Sequence, residues 1–556
     1  SALARRVPKG GSAMDNAAAL KRKRPESPSA CSEWEVAAGW VCDNGGAVHE
    51  SLTMGSDRRL RVDGPVPAGA VLLRIPQRCL LTTASAETSV VGKSINEAVQ
   101  AVTARLHNPP SDVALAFLLA SEMATAGAFR AYVTTLPPDD SYDLLPRRWP
   151  DAELARLLTG SPLLDRARRD RAGVREDHAA VSSAWGPGAG GLPTLGHFDR
   201  ALAAVTSRAF AGLGAGGGDA MVPLLDLMDH TRGGGQVKET AYAQLDDGSV
   251  QLTTLRALVA GSDVRGTYGA KGNSQLLCCY GFCVPDNVEP DGSSNDVLEF
   301  TVPGTRTVVE LRAGPRSYAF SGFAKAVDAL RVQGRGGALT TPVAPAAPDS
   351  DAGDAVGQPS APAAGVEAVP SAVRGLRGAA DAEAAEAAAA GEGNRDAMGG
   401  VISSCNGGAA KVGEAAPGKR PRPQPRRVCR GSGRRGMGRD ADLRALAALE
   451  EALGGVALGY TLRGEALASA LDERSLLRER YAALLVSSEL RTLDFFRRAA
   501  ASVRAKLGEG PNDSGSSDLL SAQVEDLVGA YIKIRHPALD APPSDGRGRG
   551  RSKRPA

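Results

Sequence analysis

Met221-Val-Pro-Leu-Leu-Asp-Leu-Met-Asp-His230, followed by Thr267-Tyr-Gly-Ala-Lys-Gly-Asn-Ser-Gln-Leu-Leu-Cys-Cys-Tyr-Gly-Phe282, is the stretch on which the reading of this chain turns. Between the two segments, Ala241–Leu245 and Ser249–Thr253 predict a hairpin with Asp246-Asp247-Gly248 as its turn. An acidic–histidine pair and two Tyr-Gly steps thus fall close together in apolar, strand-like surroundings. Polar groups in such a setting are poorly explained by folding alone.

Composition frames the rest. The 556 residues suffice for roughly two to four domains, and 42% apolar residues can supply their cores. Only 4% are aromatic, while 66 glycines and 35 prolines point to compact parts diluted by flexible stretches. A net charge of +3 is too small to mark the whole chain as a nucleic-acid binder. Eight cysteines in so long a chain exclude a disulfide scaffold. Cys278, Cys279 and Cys283 lack a second Cys/His pair at zinc spacing and are expected to be small buried hydrophobes. No apolar run reaches membrane-spanning length and no secretory signal is visible, so an intracellular location and no membrane partner are expected. Arg5, Arg6 and Lys9 look like part of a chloroplast-type transit peptide. Lys21-Arg-Lys-Arg-Pro25 looks like a nuclear localisation cluster, and a solvated tail explains both equally well.

Working outward, order is expected from about Trp34. Ala70–Ile75 reads as a strand entered through Pro65-Val-Pro-Ala-Gly69. Leu115, Leu118, Leu119 and Met123 mark a helix within 113–132, and helical segments continue to about Phe210. Strands return over 296–301 and 307–311. Residues 336–440 are Ala/Gly/Pro-rich with almost no large apolar groups, too few to offset chain entropy, and are expected to be disordered. The basic run from Lys419 to Arg439 is expected to bind nucleic acid weakly at most. Helical stripes follow: Leu443, Leu446, Leu449 and Leu453; then Leu477, Tyr481, Leu484, Leu485, Leu493 and Phe496; then Leu520, Val524, Leu527, Val528 and Tyr531, with Ser517 as N-cap.

Several familiar signals fail. Gly92-Lys93-Ser94 resembles the end of a phosphate loop, but Glu87 stands where its first glycine belongs. No Gly-x-Gly-x-x-Gly opens a helix after a strand, and no nucleophile elbow is present. His49, His107, His178, His197 and His536 have no partners at metal-ligand spacing.

The central motifs resemble those of the plant-type SET-domain protein methyltransferases, the family of the Rubisco large-subunit lysine methyltransferase. That family carries Asp-x-x-Asn-His, then Tyr-Gly-x-Lys-x-Asn-x-Glu-Leu-Leu-x-x-Tyr-Gly-Phe, with Asn and Asp soon after. Here Asp226-Leu-Met-Asp229-His230, Tyr268 to Phe282, Asp286-Asn287 and Asp291 correspond. Trp40–Gly46 and Val66–Pro76 are similar to its N-terminal SET portion, and Leu136-Pro-Pro138, Trp149 and Leu158–Pro162 to its helical insert. Val205-Thr-Ser-Arg208-Ala-Phe210 is similar to the return into the SET core. The resemblance covers about 34–335 and 440–507.

It implies an α+β fold, a SET-domain β-fold of several small sheets with a helical insert, followed by an all-helical substrate-binding domain. The implied order is a disordered basic segment (1–33), a SET domain (34–313) with its insert at about 100–205, and a helical domain (314–335 and 440–535). That domain would be split by the insertion at 336–439 and followed by a basic tail (536–556). The implied activity is methyl transfer from S-adenosyl-L-methionine to the ε-amine of a protein lysine, by a monomer without a metal. Alternatives are a catalytically impaired SET-like interaction module and a protein-histidine methyltransferase. Tyr268 would be catalytic. Ser56, Arg58, Arg208, Asp229 and His230 would bind cofactor, and Asp226, Tyr280 and Phe282 substrate. Three departures accompany the match. Asp57-Arg58-Arg59 replaces the family's Gly-x-Gly, Asp229 replaces its Asn, and Gln275 its Glu.

Overall fold

The computed structural model describes residues 32–87, 90–125, 127–186, 190–214, 218–231, 239–289, 291–333, 435–472, 476–508 and 519–536. Most of the basic N-terminal segment, nearly all of the 336–439 insertion with the run from Lys419, Ser517 and the tail from 537 lie outside the described residues.

Helix α1 (Glu33–Asp43) opens with a reciprocal cap. Ser32 Oγ accepts the Glu35 N–H at 3.2 Å, and the Glu35 carboxylate accepts the Ser32 N–H at 2.8 Å. Trp34, Ala37, Ala38 and Val41 form its buried face. Strands β1 (Ala47–Val48), β2 (Leu52–Met54), β3 (Leu60–Val62), β4 (Val71–Ile75) and β5 (Leu81–Thr82) follow. Helices α2 (Thr83–Ala86), α3 (Val90–Val102), α4 (Pro110–Thr125), α5 (Arg130–Val133), α6 (Asp151–Leu158), α7 (Leu163–Ser183) and α8 (Leu195–Arg208) then build the insert. Gly92-Lys93-Ser94 lies inside α3 rather than in a loop. Helix α4 is buried all round from Asp112 to Ala120, not on one stripe, because it packs against both α3 and α8.

The chain returns to short strands: β6 (Ala209–Phe210), β7 (Ala220–Met221), β8 (Asp229–His230), β9 (Thr240–Gln244), β10 (Val250–Thr254) and β11 (Arg265–Gly266). Helix α9 (Asn273–Tyr280) and the hairpin β12 (Leu298–Thr301)–β13 (Val308–Leu311) complete this part. The sheets are small: β1-β4-β10-β9, β5-β7-β6, and the pairs β2-β3, β8-β11 and β12-β13. The expected hairpin is β9–β10, with Val250 opposite Gln244. Its second strand alternates buried and half-buried residues, the pattern of a sheet with one packed face. Cys279 and Cys283 are buried, and Cys278 packs partly buried against the same core.

An all-helical region follows: α10 (Arg316–Gln333), α11 (Arg435–Leu458), α12 (Gly464–Ala470), α13 (Leu477–Lys506) and α14 (Leu519–Arg535). Its core extends into the first part through Trp149, Leu154, Leu277 and Cys283. Gly160 adopts φ +97 where a Cβ would meet the Tyr460 backbone at 2.6 Å. No helix among the described residues is long and apolar enough to cross a membrane.

This seam buries a carboxyl group. Glu489 on α13 accepts hydrogen bonds from Ser161 Oγ at 2.9 Å and Tyr460 Oη at 3.0 Å. Burial pushes its pKa up from 4.5 to about 7. The folded state therefore holds a proton that the unfolded state releases, and this contribution to stability is lost as pH rises from about 4.5 through about 7. Melting curves should lose part of their pH dependence over that interval in Glu489→Gln. An identical pH dependence in the variant would rule the assignment out.

Candidate active site

The site is assembled from the two ends of the segment that opens the reading. Leu224, fully buried, adopts φ 66, a conformation costly for a branched side chain. The 3-10 turn Leu225–Leu227 follows and delivers Asp229 and His230 to β8. Strand β8 pairs in parallel with β11, Asp229 beside Arg265 and His230 beside Gly266, which brings Tyr268 alongside. The Tyr268 N–H donates to His230 Nδ1 at 3.1 Å, and its hydroxyl donates to the Met228 carbonyl at 2.7 Å.

Helix α9 brings in Tyr280, and Gly281 ends it at φ +77, where a side chain would crowd Leu144. Asn273 holds the turn beyond: its amide donates to the Val284 carbonyl at 3.1 Å and its oxygen accepts the Val284 N–H at 2.8 Å. Asn287 in turn donates to the Lys271 carbonyl at 2.8 Å. The result is a four-ring cluster. Tyr268 stacks on Tyr280 with centroids 5.0 Å apart and lies 4.8 Å from His230. Phe282 is 5.9 Å from His230 and 6.4 Å from Tyr268.

Behind the rings runs a buried polar network. Arg208, at the end of α8, donates to the Asp226 carbonyl at 2.8 Å, and its guanidinium lies 3.5 Å from the Asp226 carboxylate. Tyr132 on α5 donates its hydroxyl to that carboxylate at 2.9 Å. Burial raises the Asp226 pKa, opposed by Arg208 and Tyr132. Burial also opposes the charge on Arg208, but Tyr142, Asp226, Tyr132 and Tyr268 outweigh it and the pKa is raised, so the group stays a cation. Burial raises the Tyr268 phenol well above its ordinary value, and burial lowers His230 to about 4. At neutral pH both rings are uncharged.

The structure gathers Asp226, Asp229, His230, Arg208, Tyr268, Tyr280 and Phe282 into one region. Ser56 is exposed in the β2–β3 turn. The guanidinium of Arg58 is directed elsewhere, to Glu33 at 2.8 Å and the Thr134 carbonyl at 3.2 Å. The side chain that reaches the site from this turn is Arg59, which pairs with Asp229 at 3.3 Å. Sequence reasoning registered Arg59 only as a lost glycine, although two departures of opposite charge were a signal of pairing. Tyr132 and Tyr142 were also missed; nothing local marks them. Among the described residues, no group of three or more His, Cys, Asp or Glu could hold a metal ion.

No family model matches the chain. It is 25% identical over 264 residues to the actin-histidine N-methyltransferases of Mus musculus and Homo sapiens, covering 45% of this chain and 42% of theirs. It is 36% identical over 67 residues to the ribosomal lysine N-methyltransferase set10 of Schizosaccharomyces pombe, 12% of each chain. The chain thus spans less than half the length of these curated relatives. Its fold is similar to that of the SET domain of LSMT bound to lysine and AdoHcy, with TM-score 0.54 and 15% identity over 86% of this chain and 93% of the other. The structure of Rubisco LSMT bound to AdoMet gives TM-score 0.53 and 15% identity over 89% and 100%. The chain has the SET-type fold, several small sheets followed by an all-helical region, in the arrangement of Rubisco LSMT.

Proposed function

We propose that the protein is an S-adenosyl-L-methionine-dependent methyltransferase acting on a side-chain nitrogen of a protein substrate. The observation that carries this is the Tyr268 hydroxyl, kept protonated and donating to the Met228 carbonyl within the four-ring cluster. The residues fit the cofactor: Arg208 Nε is buried without a hydrogen-bond partner, a donor that an oxygen of a bound ligand would satisfy, and the His230 and Tyr268 rings beside it are uncharged. Arg208, Asp229 and His230 would hold S-adenosylmethionine, which supplies an electrophilic methyl group on a sulfonium.

The chain's own residues do the remainder. The acceptor nitrogen must be neutral, and desolvation by the Tyr268, Tyr280 and Phe282 rings together with the nearby Arg208 cation disfavours a protonated amine. Tyr268 stays a phenol, so it orients the acceptor and is no general base. The Tyr280 ring, stacked on Tyr268, helps to hold the Tyr268 hydroxyl in its orientation towards the Met228 carbonyl.

Two acceptors fit. The short match to a ribosomal lysine methyltransferase favours lysine. The broader sequence match, to actin-histidine methyltransferases, favours histidine. Their free pKa values, about 10.4 and about 6.5, separate them. With labelled S-adenosylmethionine and cell extract, a histidine acceptor should give a rate level above about pH 7, and a lysine acceptor one still rising at pH 9. Mass spectrometry of the labelled peptide identifies the residue. Failure to bind S-adenosylmethionine or its homocysteine product would instead favour a non-catalytic interaction module.

A further inference from the structure

A line of alternating charges runs from β11 through β3 and the β2–β3 turn into the site. Arg265 pairs with Asp263 at 3.3 Å, Asp263 with Arg61 at 2.7 Å, and Arg61 with Asp57 at 2.7 Å. Asp57 then meets Arg59 at 3.7 Å, and Arg59 meets Asp229 at 3.3 Å. The inner members are each shared between two partners. The inner end is looser: Arg59 meets its two partners at 3.7 and 3.3 Å, against 2.7 Å for both pairs of Arg61, and retains unused donors, while Asp229 spends one carboxylate oxygen on the His230 N–H at 2.9 Å. Their side chains are 49% and 30% exposed, so both are open to a ligand, unlike Asp226 at 0%. Both charges act on the Tyr268 hydroxyl, and both act on Tyr481 of α13.

Each charge alone would suit S-adenosylmethionine poorly. A lone Asp229 would repel the α-carboxylate, and a lone Arg59 the sulfonium. Side by side they present the mirror of a zwitterion, one cation and one anion at neighbouring positions. We propose that Arg59 and Asp229 act as one unit that binds the amino-acid end of S-adenosylmethionine, Arg59 taking the α-carboxylate and Asp229 the α-ammonium. This rests on the methyltransferase reading and makes the two charged departures in sequence a single exchange. It also assigns the turn a side-chain role through Arg59 rather than Arg58.

Calorimetry with two probes tests it. S-adenosylhomocysteine carries the amino-acid end, whereas 5′-methylthioadenosine has the same nucleoside and sulfur without it. Arg59→Ala should weaken S-adenosylhomocysteine by about ten- to a hundred-fold and change 5′-methylthioadenosine by less than about threefold. Arg59→Lys should recover part of the loss. Asp229→Asn combined with Arg59→Ala should cost less than the sum of the two single changes, because the pair is coupled. Equal weakening of both probes, or no change in either, overturns the proposal, since a purely structural ion pair does not discriminate between them. Wild-type protein that binds neither probe overturns the cofactor reading itself, and this proposal with it. Unchanged melting temperatures in the variants exclude misfolding as the cause of a loss.

Discussion

Tyr268→Phe should slow methyl transfer by about a hundred-fold while leaving S-adenosylhomocysteine affinity within about threefold of wild type. The change deletes one oxygen and keeps the ring, so stacking on Tyr280 and the contact with His230 persist. What disappears is the hydroxyl held at 2.7 Å from the Met228 carbonyl. That hydroxyl is aimed by its backbone partner before any substrate arrives, so its loss falls on the reacting geometry rather than on binding. Single-turnover rates with saturating cofactor give the relevant comparison. A variant with wild-type rate would remove Tyr268 from the chemistry, and one that no longer binds S-adenosylhomocysteine would make it a binding residue.

Arg208→Leu should lower stability by about 3–5 kcal/mol, the usual cost of removing one member of a buried ion pair. The Asp226 carboxylate would keep its burial and its bond from Tyr132 but lose its only cationic partner among the described residues. Its pKa, already raised by burial, would rise further, and it would take up a proton more readily. The deficit should therefore shrink as pH falls, because protonation relieves the uncompensated charge. Denaturant midpoints at pH 8 and pH 5 measure both effects. A midpoint equal to wild type at pH 8 would contradict the buried pairing of Arg208 with Asp226.

Much of this was legible in sequence where the signal is local. The Asp-Gly turn and flanking alternation gave β9–β10 nearly to the residue, and Tyr268, Tyr280 and Phe282, singled out through the family resemblance, lie together. The stripe on α4 was only half of its story, since burial on every side depends on neighbours that periodicity does not reveal. Links between distant residues left no trace. Tyr132 meets Asp226 and Arg59 meets Asp229 because helical insert and strands fold together, and no local pattern encodes such a meeting. Arg58 and Arg59 are neighbours with opposite destinations. The left-handed backbone at Arg58, φ 62, reverses the chain direction there.

The helical region has a core drawn from both sides of residues 334–434: α10 before them, and α11, α13 and α14 after, packed against one another. Both ends of the intervening stretch are therefore tethered to helices that are already docked. Loop closure in general costs only about 0.6 kcal/mol more for each doubling of the length that is joined. The helical core is accordingly almost indifferent to how much chain joins its halves. This part of the molecule can lengthen, shorten or change its composition in evolution while the tyrosines of the site, backed by the same helices, stay where they are.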